Sequence, residues 1–541
     1  LAGWSRSREA VAAAFVLAGC EPETIVRAEL EIVVDTDVPL VTQLDDPLAA
    51  PTTVRVDRLR VDVYDETGTR WLESRDFLLP DPAMWPASFG VRSDPDDEAR
   101  RFRVRLRAYR TGRAEPAFER DAAGEIVLDA SGAPVPVRDP SGQPAVEPRV
   151  AFTVDRVVPA SLAPGERRRI LVSLLGDCMG VPADVAAGAS CVRSRDEPLA
   201  EPAEEPEPEA PGPLPPSRVG HWPRAFGAAC AGAPRTPRPD LFEDELCIPG
   251  GVFHLGDDRV IGVPCAPADP CDGVPERLVF LSPFWMDRYP VTVARYRAAL
   301  LDPVEPLRPP ATPVLHGDPK YPGSSQHCTW TGVDPTNLAG YAYDPAHDAR
   351  PVNCVGREAA RAFCAWAGGE LPTEAQWELV ATAVGRPFET LHPWGDAPAA
   401  CAGVQFGRAP SAGLGSTECI DEGFGPGGVS RVDAGLGATE VVDWTPPPRG
   451  ETAGAAHMGA LVANVLRDAF EPYDGACWAA APRLDPSCTF EAGRYSARGG
   501  TFLRFGWQLK SAQRGGLGAS SFSYEIGFRC VRGAGEEGRV R

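Results

Sequence analysis

The chain has 541 residues, with 54 basic and 75 acidic side chains and a formal net charge of −21, which disfavours a nucleic-acid or anionic-membrane binder held by a positive field. Apolar residues at 43% can build several cores, about three or four domains by length, while 55 glycines and 58 prolines point to loops and short strands instead of a helical bundle. Only Lys320 and Lys510 are lysines, so Schiff-base and lysine general-base chemistry has almost no material to work with.

At the amino terminus, Arg6 and Arg8 precede an apolar run from Ala10 to Gly19, too short to span a bilayer but suited to a signal-peptide core. The run ends in Leu17-Ala18-Gly19-Cys20, which resembles the lipobox of bacterial lipoproteins. That resemblance implies a signal peptide over 1–20, lipidation of Cys20 and an anchor on a membrane face without a spanning helix. The rest of the chain is then expected outside the cytoplasm, in the cell envelope. Of 15 cysteines, fourteen remain after Cys20, an even number as full pairing in an oxidising compartment requires. No C-x-x-C occurs, and the seven histidines never fall at i, i+4 spacing, so zinc-finger, thioredoxin and zincin chemistries lack their residues. No G-x-x-x-x-G-K-[ST] loop is present to cradle phosphates.

Residues 21–192 read as an all-β sandwich. Leu59, Val61 and Val63 alternate with Arg58, Arg60 and Asp62, and Phe102, Val104, Leu106 and Ala108 alternate with Arg103, Arg105 and Arg107. Asp65-Glu66-Thr67-Gly68 reads as a hairpin turn, with further strands expected at Ala28 to Val34, Val150 to Val154 and Ile170 to Leu174, all antiparallel. The Gly-, Pro- and Asp-rich stretch from Asp121 to Pro148 is expected as a long loop or loose hairpin, and Cys178 with Cys191 as a disulfide. The arginine rows read as a solvated face paired with nearby acids. Residues 193–220, rich in Pro and Glu, read as a stiff linker holding the next domain away from the membrane or the sandwich.

The carboxy-terminal domain, 221–535, precedes a short tail, 536–541. A strand is expected from Arg277 to Trp285, and Thr292 opens a short helix through Tyr296 and Leu300. A second helix runs from Arg357 to Ala367 and stops at Gly368-Gly369. A third follows Thr373, whose N-cap and Gln376 three residues on form a capping box. These features define a loop-rich α+β domain and, by themselves, no activity.

The wording of these segments resembles the formylglycine-generating enzyme family, also called sulfatase-modifying factors, whose domain is a variant of the C-type lectin fold. The match runs from Pro351-Val352-Asn353 through Phe363-Cys364-x-Trp366-Ala367-Gly368 to Leu371-Pro372-Thr373-Glu374-Ala375-x-Trp377-Glu378 and Pro393-Trp394-Gly395. Arg498-Gly499-Gly500-Thr501-Phe502 and Ile526-Gly527-Phe528-Arg529-Cys530 match the terminal blocks. The resemblance implies a disulfide between Cys364 and Cys530. It also implies a pair of thiols between the two terminal blocks that binds copper(I) and, with oxygen, converts a sulfatase cysteine to formylglycine. Related iron-dependent sulfoxide synthases add a helical domain with three histidines, but here no histidine precedes His221.

This chain departs from that pattern. From Arg498 to Arg529 there is no cysteine; ungapped counting puts Arg504 at the first thiol and Trp507 to Leu509 at the second. Arginine cannot serve a soft metal as a thiolate does. The family's Gly-Asn-Val-Trp-Glu-Trp-Thr segment, part of a calcium site, is placed at Thr439 to Thr445, where Asp443 keeps an oxygen donor; Ala463 to Asp468 is the competing register. Cys477 and Cys488 are read as paired with each other, and eight further cysteines of this domain have no assignable partner. The expected ligand surface is Arg504, Phe505, Trp507, Arg514, Phe522 and Tyr524, an aromatic and arginine mixture of the kind found at recognition hot spots. The reading is therefore a lipoprotein with a non-catalytic binding or scaffold domain for a protein or glycan ligand. No catalytic residue, metal site, copper or nucleic-acid partner is expected. The alternatives are a divergent oxidase acting on a protein cysteine and a purely structural envelope protein.

Overall fold

The computed structural model describes residues 28–533 apart from 44–51, 93–99, 122, 164–165, 196, 198, 200–211, 223–229, 231, 261–272, 311–327, 330–346, 385–387, 402–403, 410–414, 421–453, 520 and 522. The expected signal peptide with Cys20, the glutamate run of the linker, Thr439 to Thr445, Phe522 and the tail lie outside these residues.

The amino-terminal unit is two sheets around one core. Strands β1 (Glu29–Thr36), β2 (Arg58–Asp65), β3 (Trp71–Leu78), β4 (Ala87–Arg92), β5 (Arg100–Tyr109), β6 (Ala114–Pro116), β7 (Val146–Pro148), β8 (Val154–Leu162) and β9 (Arg167–Leu174) follow in order. One sheet is β3-β2-β5-β8 and the other β4-β1-β9. The period-two pattern is realised physically: Val104, Leu106 and Ala108 of β5 are buried against Leu30, Ile32 and Val34 of β1. The expected turn joins β2 and β3, with the Asp65 carboxylate accepting from the Thr69 and Arg70 amides at 3.0 and 3.1 Å.

Four expectations are corrected here. The sheets are not wholly antiparallel, because β1 and β9 pair in parallel. As first and last strands of the unit they need no tight turn between them, and their pairing closes it. Val150 to Phe152 forms a 3₁₀ turn, and the strand begins only at Val154; the Phe152 ring is drawn inward, 4.0 Å from the ring of His254 and 4.0 Å from the Arg113 guanidinium. The stretch after Tyr109 is three ordered hairpins. Asp121, Asp129 and Asp139 each accept the amides two and four residues on, at 2.8 to 3.0 Å. These hairpins cover the arginine face, so Arg60 and Arg107 are buried, not solvated: both reach Asp62, Arg60 also donates to the Val146 carbonyl, and Arg107 pairs with Glu147.

A fifth correction concerns the linker, whose described end is tied down. Ser217 and the Arg218 amide bond Asp35 at 2.9 and 2.7 Å, and the Trp222 indole donates to Asp177 at 2.7 Å. Val252 and Leu278 of the carboxy-terminal domain join the core of the two sheets, with Phe280 packed against it. The two units share apolar surface, whose burial stabilises contact over separation.

In the carboxy-terminal domain, β10 (Glu245–Ile248), β11 (Gly251–Asp257), β12 (Gly273–Leu281) and β13 (Phe284–Asp287) precede α1 (Val293–Leu300), α2 (Arg357–Trp366) and α3 (Glu374–Thr382). The strand expected over Arg277 to Trp285 is split between β12 and β13. Pro283 between them has no N–H to give, and the Ser282 amide is taken by Asp485 at 2.8 Å. After α3 come β14 (Ala463–Ala469), α4 (Ala476–Ala480), β15 (Arg494–Arg498), β16 (Arg514–Gly518), β17 (Ile526–Gly527) and β18 (Val531–Gly533). Two sheets, β16-β15-β14-β17 and β10-β13-β18, flank the helices. Thr373 and Gln376 form the capping box of α3. Phe363 and Cys364 of α2 are fully buried with Tyr296 and Phe528.

Disulfides join Cys178–Cys191, Cys230–Cys247, Cys328–Cys354, Cys364–Cys530, Cys401–Cys419 and Cys477–Cys488. They include the three pairs expected from the sequence.

Candidate functional site

The framework of the site is a buried charge cluster under the Arg-Gly-Gly block. Glu374 opens α3 and Glu378 lies one turn on, so both carboxylates face the same side. Arg498 at the end of β15 donates to Glu374 at 2.9 Å and Glu378 at 2.7 Å, while Arg514 at the start of β16 makes a two-pronged contact with Glu374 at 2.8 and 2.7 Å. β15 and β16 pair with Arg498 opposite Arg514, which is why two distant arginines reach one glutamate. The Ser496 hydroxyl and, at 3.1 Å, the Tyr473 hydroxyl also donate to Glu374.

All four charged groups are essentially without solvent contact. Burial opposes the charge on Glu374, but the guanidiniums of Arg514 and Arg498 outweigh it and hold its carboxyl down at about 2. Asp468 on β14 accepts the Glu374 and Cys488 amides at 2.6 and 2.5 Å, and burial followed by the Glu374 charge pushes it up to about 7.

Above this cluster the chain turns sharply. Gly499 has φ +85°, and a Cβ there would lie 2.7 Å from the Met458 carbonyl; one on Gly500 would lie 2.0 Å from Leu509. The glycines thus let the following loop fold flat onto the domain. Within that loop Thr501 donates to Glu525 at 2.7 Å, and half-exposed Arg504 pairs with the same carboxylate at 3.4 Å. The Gly407 amide donates to the Arg504 carbonyl at 3.0 Å, and the Gly506 amide to Glu418 at 3.1 Å. Phe505 and Trp507 stand outward, 38% and 45% exposed, with stacked rings 6.1 Å apart. Leu509 turns inward into an apolar cluster with Val404, Phe406, Cys419 and Ala460, and Cys401 and Trp394 pack beside it.

The structure therefore brings Arg504, Phe505 and Trp507 together at one exposed loop. Two members of the expected surface do not belong there. Arg514 is 2% exposed and is committed to Glu374, because β16 turns it into the cluster. Tyr524 is half-buried, with its ring 6.3 Å from Phe502 and its carbonyl accepting from Asn353 at 2.7 Å. Sequence reasoning missed two features. One is the Cys401–Cys419 bridge, stitched to the loop through Glu418 and Gly407. The other is the role of Ala463 to Asp468, which forms β14 with Asn464 opposite Arg498. Asn464 accepts from Arg529 at 2.6 Å. Its proximity in sequence to Arg498 was the usable signal. Asp468 of this strand is buried and accepts the Glu374 and Cys488 amides, while the preferred register, Thr439 to Thr445, lies outside the described residues.

A central helix pair whose second helix is capped by Thr373, a buried Glu-Arg cluster beneath an Arg-Gly-Gly turn, and a terminal Gly-Phe-Arg-Cys strand locked by Cys364–Cys530 characterise this domain. The sequence model of the sulfatase-modifying factor enzyme 1-like domain matches residues 232–534, and the chain belongs to that family. It is 28% identical over 331 residues to the formylglycine-generating enzyme of Streptomyces coelicolor, covering 57% of this chain and 95% of that one. It is 29% identical over 185 residues to the enzyme of the same name from Thermomonospora curvata, 30% of this chain and 56% of that one. Among solved structures, PvdO from Pseudomonas aeruginosa aligns over 56% of this chain and 99% of its own, with 20% identity and a TM-score of 0.36.

Where ungapped counting from Arg498 puts the family's two thiols, Arg504 and Trp507 to Leu509, the residues present do not fit a copper(I)-thiolate site. Arg504 is a charged hydrogen-bond donor and Leu509 a buried hydrocarbon, and neither offers a soft lone pair.

Proposed function

We propose that this protein is a lipid-anchored, extracytoplasmic member of the family whose carboxy-terminal domain binds a protein or glycan ligand through the Arg504–Trp507 loop and carries out no copper chemistry. The amino-terminal two-sheet unit is a sandwich that supports this domain. The observation that supports the reading is an exposed loop of Arg504, Phe505 and Trp507, followed by buried Leu509, in a stretch from Arg498 to Arg529 that has no cysteine. Exposed aromatics beside an arginine suit recognition, since they supply large contact area at low entropic cost. Among the described residues no helix is long and apolar enough to cross a membrane; attachment in this reading is through Cys20.

A second reading is favoured by one specific contact. Cys401–Cys419 packs against Leu509, so a reduced pair there would offer two soft ligands beside the vacated positions. A thiol count on the denatured, unreduced full chain, prepared from an oxidising compartment, separates the two. Absence of free thiols in the carboxy-terminal domain, with no copper(I) uptake, supports the binding module. Two free thiols at Cys401 and Cys419 that take up copper(I) overturn it in favour of a divergent oxidase. Anchoring is tested separately: Cys20→Ala should release the protein from the membrane fraction, and unchanged fractionation would remove the anchor from the proposal.

A further inference from the structure

The exposed loop rests on a segment whose two ends are joined by one disulfide. The carbonyls of three consecutive loop residues accept from that segment: Phe502 from the Arg408 amide at 2.8 Å, Leu503 from the Ser416 amide at 2.8 Å and Arg504 from the Gly407 amide at 3.0 Å. The Gly506 amide donates back to Glu418 at 3.1 Å. The segment is folded on itself, with the Ala409 amide on the Ser416 carbonyl and the Cys419 amide on the Gly407 carbonyl, both at 2.8 Å, and Cys401–Cys419 closes it. Leu509, at the far end of the loop, packs into the apolar cluster that contains Cys419 and touches Cys401. Among the described residues from Cys401 to Ile420 there is no helix or strand. The covalent closure is therefore what keeps the two limbs of the segment side by side at low entropic cost, and with them the seat of the loop.

The bridges differ in how they meet solvent. Cys364–Cys530 is shut in the core at 0% and 1% exposure, whereas Cys401 is half-buried and Cys419 is 2% exposed. Cys230–Cys247 and Cys477–Cys488 also include half-buried cysteines, but they hold β10 and α4, not the loop. Access matters because a disulfide opens only when an outside thiolate reaches one of its sulfurs.

We propose that Cys401–Cys419 is a redox-sensitive latch: closed, it holds Arg504, Phe505 and Trp507 in their outward arrangement, and opened by a dithiol reductant, it lets them go. Its effect on ligand binding rests on the reading of this loop as a recognition surface, whereas its effect on the loop does not. One thiolate of the dithiol attacks the Cys401 sulfur; the bond to Cys419 breaks, and the Cys419 sulfur leaves with the electron pair and takes up a proton. The second thiol of the reagent then displaces Cys401 from the mixed disulfide. The dithiol ends as its own disulfide, oxidised by two electrons, and Cys401 and Cys419 end as thiols.

The full chain, in metal-free buffer, is treated with graded dithiothreitol, alkylated, mapped by mass spectrometry and followed by amide exchange over 502–509. Alkylation of Cys401 and Cys419 is expected while Cys364 and Cys530 stay joined, with exchange at Gly506 rising about tenfold or more. Cys401→Ser with Cys419→Ser should show the same rise without reductant, in a chain whose melting transition proves it folded, and Cys477→Ser with Cys488→Ser should not. An unchanged loop in the opened chain overturns the latch. So does an equal rise in the Cys477/Cys488 variant, or a bridge that opens only together with Cys364–Cys530. Because the readout is the loop and not a bound molecule, a loop that captures no ligand would refute the binding reading and leave this result standing.

Discussion

Arg498 and Arg514 of the buried cluster around Glu374 flank the loop from Arg504 to Leu509 on one stretch of chain, yet cluster and loop obey opposite constraints. In the cluster, two carboxylates and two guanidiniums pair with one another out of solvent contact, so each residue constrains the others. In the loop, the backbone is held by Gly407, Glu418 and Gln508, while the outward side chains of Phe505 and Trp507 are free to vary. The difference teaches that this framework positions a loop whatever chemistry the loop carries.

The sharpest way to break this comparison is to remove one partner from the cluster. Glu374→Ala leaves Arg498 and Arg514 buried without their shared anion and should cost about 3 to 5 kcal/mol, measured by urea unfolding; a loss under about 1 kcal/mol would show that the cluster is not the framework. Next, replacing Cys364 and Cys530 together by alanine opens a loop of 166 residues and should cost about 2 to 5 kcal/mol, again with the Phe505–Trp507 surface retained once the protein is folded.

A smaller effect is expected in acid. Glu389 is held down at about 2, where burial is outweighed by the hydrogen bond and charge of His254 and the Thr53 hydroxyl. A carboxyl lowered on folding contributes stability that is complete above its ordinary value near 4.5 and is lost as pH falls toward 2. Glu374 behaves in the same way. Melting temperature should therefore drop through that window, and Glu389→Gln should make the drop shallower. The smallest effect on stability belongs to the loop: Phe505→Ala and Trp507→Ala should each change it by within about 0.5 kcal/mol, while abolishing capture of the ligand. A large loss of stability from either would place these rings in the framework after all.

Much of the framework was legible because it is written locally. The Thr373–Gln376 box, the stop after Ala367 and the alternation of β2 and β5 are short-range patterns whose physical meaning does not depend on a partner. The candidate site was half legible: Arg504, Phe505 and Trp507 are exposed together, whereas Arg514 was misplaced because its neighbour Glu374 lies 140 residues away. The arginine rows of β5 were likewise read as solvated, since nothing in an alternating strand reveals that hairpins from a Gly- and Asp-rich stretch will cover it.

By itself, then, the sequence determined the helices α1, α2 and α3 with the cap of α3, the strand periods, the matching family blocks and the absence of a thiol between Arg498 and Arg529. Only the tertiary structure decided the parallel closure of β1 on β9, the Cys401–Cys419 bridge beside Leu509, the burial of Arg514 and the docking of the two units. The reason is that period and capping are set by neighbours along the chain. Strand partners, ion pairs and interfaces are chosen among surfaces far apart in sequence, by burial and charge compensation that no local pattern encodes.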